Sequence, residues 1–150
     1  MRVVIQRVRN AEVLSDGVLT GNIGVGLLVL CGFEDSDDFK DLEWMVKKII
    51  GMRIFCDPEG HMNLSIDEVK GEFLVISQFT LFAETKKGNR PSFMRSAKRN
   101  NAKKLYDEFL SILKHQWHGH VRTGVFGADM QVTLCNDGPV TIIIDSKNSE

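Results

Sequence analysis

Residues 24–33 read Gly-Val-Gly-Leu-Leu-Val-Leu-Cys-Gly-Phe, a stretch without a single charged side chain. Its longest apolar run, Val25–Cys31, falls well short of the ~18–20 residues of a membrane span. Interrupted by Gly26, it suits a buried strand at the centre of a sheet. On its N-terminal side Val3, Ile5 and Val8, with Val4 opposite them, predict an opening strand. Ala11–Leu14 and Val18–Ile23 flank Asp16-Gly17, a hairpin signal because Gly accepts positive φ. On its C-terminal side Asp35, Ser36 or Asp37 can cap a helix reaching about Ile50. There Phe39, Leu42, Met45, Val46, Ile49 and Ile50 recur at three- and four-residue spacing, and Gly51 is a stop.

Further along, Met52–Phe55 predicts a short strand and Asp57-Pro58-Glu59-Gly60 a turn. Glu72–Phe82 reads as a strand broken at Ser77-Gln78. A second helix spans about Asn100–Trp117, with Leu105, Phe109, Ile112 and Leu113 on one stripe. Met130–Cys135 and Val140–Ile144 are expected as two late strands, separated by Asn136-Asp137-Gly138-Pro139, and the final Lys-Asn-Ser-Glu is expected to fray. The reading is one α+β domain over residues 1–150, a curved sheet covered by two main helices.

The 150 residues are 43% hydrophobic and 26% charged, a composition that excludes a disordered chain. Arg7 and Arg9 arrive before any long apolar core, which argues against a signal peptide. Cys31, Cys56 and Cys135 are odd in number and far apart, as expected of free thiols in the reducing cytoplasm. Net charge is −1, but its distribution is uneven. Eight of the nineteen basic residues, Lys86, Lys87, Arg90, Arg95, Lys98, Arg99, Lys103 and Lys104, fall between Thr85 and Lys104 with no acid among them. Six acids crowd into Glu34–Glu43. A local basic segment on a chain of balanced charge can hold phosphates without general stickiness; a solvated loop and helix face is the plainer alternative.

His118-Gly-His120 would place two rings on one strand face, but no carboxylate or thiol lies at ligand spacing, and the position after a helix predicts a turn. No HExxH, GxSxG, Walker A or GxGxxG pattern is present, and a Ser–His–Asp triad cannot be assembled from the sequence. Two polar insertions in apolar strands are stronger leads. Ser77-Gln78-Phe79-Thr80 follows Phe73–Ile76, where a buried strand would continue with aliphatics. Either these groups are satisfied at a sheet edge, or they floor a pocket in which Gln78 and backbone N–H groups polarise a carbonyl. Thr80 is a conceivable nucleophile without a neighbouring base. The second insertion is Asn136-Asp-Gly-Pro-Val-Thr141, a trans turn by default; a cis Gly138-Pro139 bond would aim adjacent carbonyls in one direction and form a rigid steric wall.

At these segments the chain resembles the D-aminoacyl-tRNA deacylase family, also called D-tyrosyl-tRNA deacylase. The stretches that carry the resemblance are MRVVIQRV, GLLVLCGFE, RIFCDPEGHMNLS, LVISQFTLFAETKKGNRPSF, TGVFGADMQVTL and NDGPVTIIID, in order over nearly the whole chain. The resemblance implies the compact barrel-like fold of that family. It implies a homodimer with active sites at the subunit interface, acting on the 3′ end of aminoacyl-tRNA without cofactor or metal and with no membrane or DNA partner. Ser77, Gln78, Phe79 and Thr80 match the catalytic wall, and the 2′-hydroxyl of the terminal adenosine assists attack by water. Gly138 and Pro139 match a cis element that enters the partner's pocket and excludes L-amino acids, discrimination by a built-in clash that lets glycine on tRNA(Ala) through. Arg7 matches the arginine orienting that element. Phe126 and Met130 match positions around the adenine, and Lys86, Lys87 and Arg90 become tRNA-backbone contacts. Cys135 departs from an expected aliphatic residue. Met94–Asn101 is more basic than the family leads one to expect, a tuning of tRNA affinity. Two other classes stay open: a binding module that protects charged tRNA, and a serine- or threonine-dependent esterase for small esters.

Overall fold

The computed structural model describes residues 1–148. Strand β1 runs from Arg2 to Ser15 and turns at Asp16-Gly17, both at positive φ (48° and 79°), into β2, Val18–Ile23. That pair of left-handed residues is the type I′ hairpin geometry the Asp-Gly signal predicts. The apolar stretch forms β3, Gly26–Gly32, antiparallel to β1 on one side and parallel to β6, Glu72–Ser77, on the other. A short strand β7, Val121–Thr123, extends β6 in parallel, and β8, Met130–Asp145, lies antiparallel along the whole of β1. Gly21 of β2 stands where a Cβ would meet the Thr123 carbonyl at 2.9 Å, so the two ends of the sheet come together in a nearly closed barrel. A small hairpin, β4 (Phe55–Cys56) with β5 (Met62–Leu64), sits apart from it.

Alternation along the strands divides the core. Leu27, Val29 and Cys31 of β3, with Phe73 and Val75 of β6, face the helices; Leu28, Leu74 and Ile76 point into the barrel with Val8, Ala11 and Val13 of β1. Burial on both faces is why β3, Gly26–Gly32, carries no charged side chain. The β1–β8 register shifts at Arg7–Arg9, and there β1 passes from burying Val3 and Ile5 against the helices to burying Val8, Ala11 and Val13 inside the barrel.

Helices α1 (Phe39–Gly51) and α2 (Arg99–Gln116) cover the outer face with Leu42, Met45, Val46 and Ile49 of α1 and Leu105, Phe109 and Leu113 of α2. The α1 cap is Asp38 rather than the expected Asp35, Ser36 or Asp37: its carboxylate accepts from the N–H groups of Lys40 and Asp41, and Asp41 returns a bond to the Asp38 N–H. The other two acids work elsewhere. Asp37, fully buried, pairs with the Met1 ammonium at 2.5 Å, and Asp35 accepts from the Lys98 N–H beside α2. Asp38→Ala is expected to cost about 1 kcal/mol, lowering Tm by roughly 2–4 °C in thermal unfolding.

Other expectations are corrected as well. The strand expected at Met52–Phe55 starts only at Phe55 and closes on β5, which has no strong pattern of its own. Glu72–Phe82 is not one broken strand, because the chain leaves the sheet after Ser77 and coils into a 3-10 turn at Phe79–Phe82. The two late strands form one element, β8, whose flanks Met130–Asn136 and Thr141–Asp145 both pair with β1, while Asp137–Val140 bulge out between them without a partner on it. No described helix is long and apolar enough to cross a membrane.

Candidate active site

The β6 strand ends where the Gln78 N–H donates to the Cys31 carbonyl at 2.7 Å. Gly32 permits this approach, since a Cβ there would lie 2.7 Å from the Gln78 carbonyl oxygen and 3.3 Å from Leu81 Cβ. The backbone then turns so that the N–H groups of Phe79 and Thr80 take no acceptor among the described residues. The Gln78 side-chain amide donates to Thr80 Oγ1 at 2.5 Å, and Ser96 Oγ donates to the Phe79 carbonyl at 2.7 Å. The Gln78 backbone N–H, one of the donors expected to polarise a carbonyl, is thus committed to Cys31; those of Phe79 and Thr80 remain.

This turn forms one wall of an open cavity of about 790 Å³. Ser77, Gln78 and Phe79 line it together with Phe126, Ala128 and Met130, and the exposed Phe93, Met94 and Arg99 form its rim. Thr80 is exposed and lies outside the lining, joined to it through Gln78. Phe126 packs on Tyr106 at 5.7 Å between ring centroids, and Tyr106 is fixed by donating to the Val75 carbonyl at 3.0 Å. Phe79 meets Phe93 edge-on at 5.1 Å. A second, more open cleft of about 470 Å³ beside Trp44 and Met52 contains none of the predicted residues.

Two ionisable groups in the lining are unsuited to attack on a substrate. Burial pushes the Cys31 thiol far above its ordinary value, so it stays protonated. The Asp35 carboxyl is held below the usual range by hydrogen bonds from the Asn101 amide and the Lys98 N–H, and those bonds occupy it. His118 and His120 lie away from the cavity, between α2 and β7, and no group of His, Cys, Asp or Glu with metal-holding geometry occurs among the described residues.

Gly138 and Pro139 are joined by a cis peptide bond and stand exposed, outside the lining of this cavity. Arg7, 7% exposed, fixes the segment from below: Nε donates to the Asp137 carbonyl at 3.0 Å and Nη1 to the Ile54 carbonyl at 2.6 Å. Its grip is thus on the residue before Gly138. Asn136 closes the turn by accepting from the Val140 N–H and donating to Thr141 Oγ1, both at 3.0 Å. Gly138 has φ +130°, and a Cβ there would fall 2.9 Å from Arg7 Nη2. Lys86, Lys87 and Arg90 ride an exposed loop whose base is pinned by the Glu84–Ser92 bridge, and they carry no ion pair among the described residues.

Gly32 has no signal as a site residue in the sequence, and Asp35 reads there only as a helix cap; the place of each in the lining depends on contacts across the fold. Arg99 reads in the sequence only as one of eight cations between Thr85 and Lys104.

Comparison with known proteins gives one consistent result. The family profile described as D-Tyr-tRNA(Tyr) deacylase matches residues 4–145. A D-aminoacyl-tRNA deacylase of Flavobacterium johnsoniae is 52% identical over 150 residues, covering 100% of both chains. Among solved structures, one described as c-Myc DNA Unwinding Element Binding Protein is 40% identical at TM-score 0.90, covering 97% of this chain and 98% of its own. Another, described as a probable eukaryotic D-amino acid tRNA deacylase, has 21% identity at TM-score 0.80, with 95% and 97% covered, a likeness of fold.

Proposed function

The chain belongs to the D-Tyr-tRNA(Tyr) deacylase family and acts as a D-aminoacyl-tRNA deacylase, an ester hydrolase; on that premise we propose that it clears D-amino acids, and glycine from tRNA(Ala), as a cytoplasmic proofreading step of translation. The observation that carries this reading is that Ser77, Gln78 and Phe79 line the same cavity as Phe126 and Met130. Phe126 and Met130 take the terminal adenine by stacking and apolar contact. Ser77, Gln78, Phe79 and Thr80 hold the ester, with the free N–H groups of Phe79 and Thr80 as donors to its carbonyl oxygen as negative charge develops there. Water adds to the acyl carbon, the ester C–O bond breaks, and the tRNA leaves with its 3′-hydroxyl restored.

Thr80 Oγ1 accepts from Gln78, and among the described residues no histidine or free carboxylate lines the cavity to take its proton. That supports assistance by the substrate's own 2′-hydroxyl over covalent catalysis. Thr80→Ala is expected to lower kcat by less than about tenfold, the worth of one hydrogen bond. Single-turnover assays measure it, and complete loss with ester binding intact would reinstate Thr80 as nucleophile.

Chiral selection is assigned to Gly138-Pro139 of a second subunit. The element is exposed on its own chain, and β8, paired with β1 alone among the described residues, leaves a long open edge bearing Ile143 at 69% exposure. Such an edge calls for a cover, and a second copy would supply one together with the missing wall of the cavity. The deciding test sets tRNA charged with D-tyrosine beside the same tRNA charged with L-tyrosine, with EDTA present. Loss of the D ester alone is expected; equal loss of both would leave a non-chiral esterase.

A second reading has one observation behind it, the fold shared with a protein described as binding a DNA unwinding element. Lys86, Lys87 and Arg90 could follow any nucleic-acid backbone. Retention of the D ester in a bound, protected complex would support such a binding module. The net charge of −1 offers no general hold on duplex DNA, so the tRNA end is preferred.

A further inference from the structure

We propose that Arg99 is a phosphate-binding residue on the rim of the cavity, holding the phosphodiester on the 5′ side of the terminal nucleotide. The proposal rests on the tRNA-ester reading and adds a subsite to it. Of the eight arginines in the chain, Arg2, Arg7, Arg9, Arg53 and Arg95 each donate to a carboxylate, amide or carbonyl oxygen. Arg99 has no such partner among the described residues, and it is the one unpartnered arginine in the cavity lining.

Its position is nevertheless defined. The first residue of α2, Arg99 lies against Gly127, where a Cβ would stand 2.8 Å from its Nη2 and 3.4 Å from its Cζ. Gly127, at φ +78°, therefore provides a seat that a side chain would fill. The neighbour in sequence is Phe126, the residue assigned to the terminal base, so the guanidinium lies beside the place where that nucleotide's phosphate must leave the cavity.

The nearby charges do not compete for it. Asp35, on the same rim, accepts from the Lys98 N–H and the Asn101 amide. Lys103, 6.0 Å above the Phe126 ring, is paired with Asp107. An unpaired guanidinium seated against Gly127 presents a planar fork of donors suited to two phosphate oxygens, which a lysine ammonium matches less well.

The test compares two substrates that share the reacting ester: D-tyrosyl-tRNA, and D-tyrosyl-adenosine, which lacks the phosphate. For Arg99→Ala the expected result is a roughly tenfold rise in KM on the tRNA ester, with kcat and the nucleoside ester unchanged. The dependence of log(kcat/KM) on log[salt] for the tRNA ester should flatten by about 0.7, one single-strand phosphate contact. Arg99→Lys should recover part of the affinity and all of the salt slope. Equal losses on both substrates, or none on either, overturn the phosphate subsite. If the unchanged protein hydrolyses neither ester, the deacylase reading itself fails and the subsite with it.

Discussion

Gly32→Ala is expected to reduce kcat/KM on D-tyrosyl-tRNA by about a hundredfold, the scale of loss when reacting groups are misplaced by an ångström. A methyl group at this position meets the Gln78 carbonyl oxygen at 2.7 Å, and Leu81 Cβ and Phe82 Cδ2 at 3.3 Å. The first of these is backbone and cannot rotate away. The same carbonyl accepts the Leu81 N–H that closes the 3-10 turn, so pushing it outward tilts the turn and the N–H groups of Phe79 and Thr80 with it. Because those donors act most strongly on the charge that develops in the transition state, kcat should fall more than KM rises. Gly51→Ala is the matched control: a Cβ there meets nothing within 4 Å, and at the end of α1 it should leave activity unchanged. A Gly32→Ala protein within a few-fold of the unchanged rate would show that the turn does not hold the ester.

Asp37→Ala is expected to cost about 3–5 kcal/mol, the penalty for leaving one member of a buried ion pair alone. The Met1 ammonium and the Asp37 side chain are both fully buried, 2.5 Å apart, and Ser146 Oγ accepts from the same ammonium at 2.6 Å. Asp37 also receives the Glu34 N–H at 2.8 Å, which sets the course of the chain between β3 and α1. Removing the carboxylate strands a charge next to the core residue Met1 and releases that loop at the same time. A fall in Tm on the order of 10 °C is the expected reading in thermal unfolding. Asp37→Asn keeps an acceptor for Glu34 but not the charge, and should fall between the two. A Tm for Asp37→Ala within about 2 °C of the unchanged protein, where a surface substitution would leave it, would remove the pair from the account of stability.

Much of the barrel was legible because its strands bury both faces or alternate cleanly. Residues 24–33, Phe73–Ile76 and the Asp16-Gly17 turn carry their structure in local pattern. The errors have a common physical origin. Phe79–Phe82 is apolar enough for a strand, but Gln78 bonds to Cys31 and the chain turns out of the sheet, a contact between residues far apart in sequence. Asn136–Pro139 looks like a break until β1 is seen to hold both flanks in register. Asp35, Ser36 and Asp37 read as candidates for the helix cap, yet the cap is Asp38, because Asp35 and Asp37 are engaged by the Lys98 N–H and the Met1 ammonium. Ser77–Phe79 and Phe126–Met130 stand far apart in sequence, and the fold brings residues of both into the lining of one cavity. The seat of Arg99 on Gly127 was beyond reach, since twenty-eight positions separate the two residues and no local pattern joins them.

The pairing of β1 with β8 joins Arg2 to Asp145, so the first strand made during synthesis is completed by the last. During synthesis the N-terminal half of β1 can pair with β3 once both have emerged, but its other edge stays open until β8 has emerged as well. Contacts this distant in sequence make folding slow and late. Met130 and Val132, which form one wall of the cavity, belong to that last strand. The cavity is therefore complete only once β8 has docked on β1, and a fragment that stops short of Met130 is expected to lack a formed site.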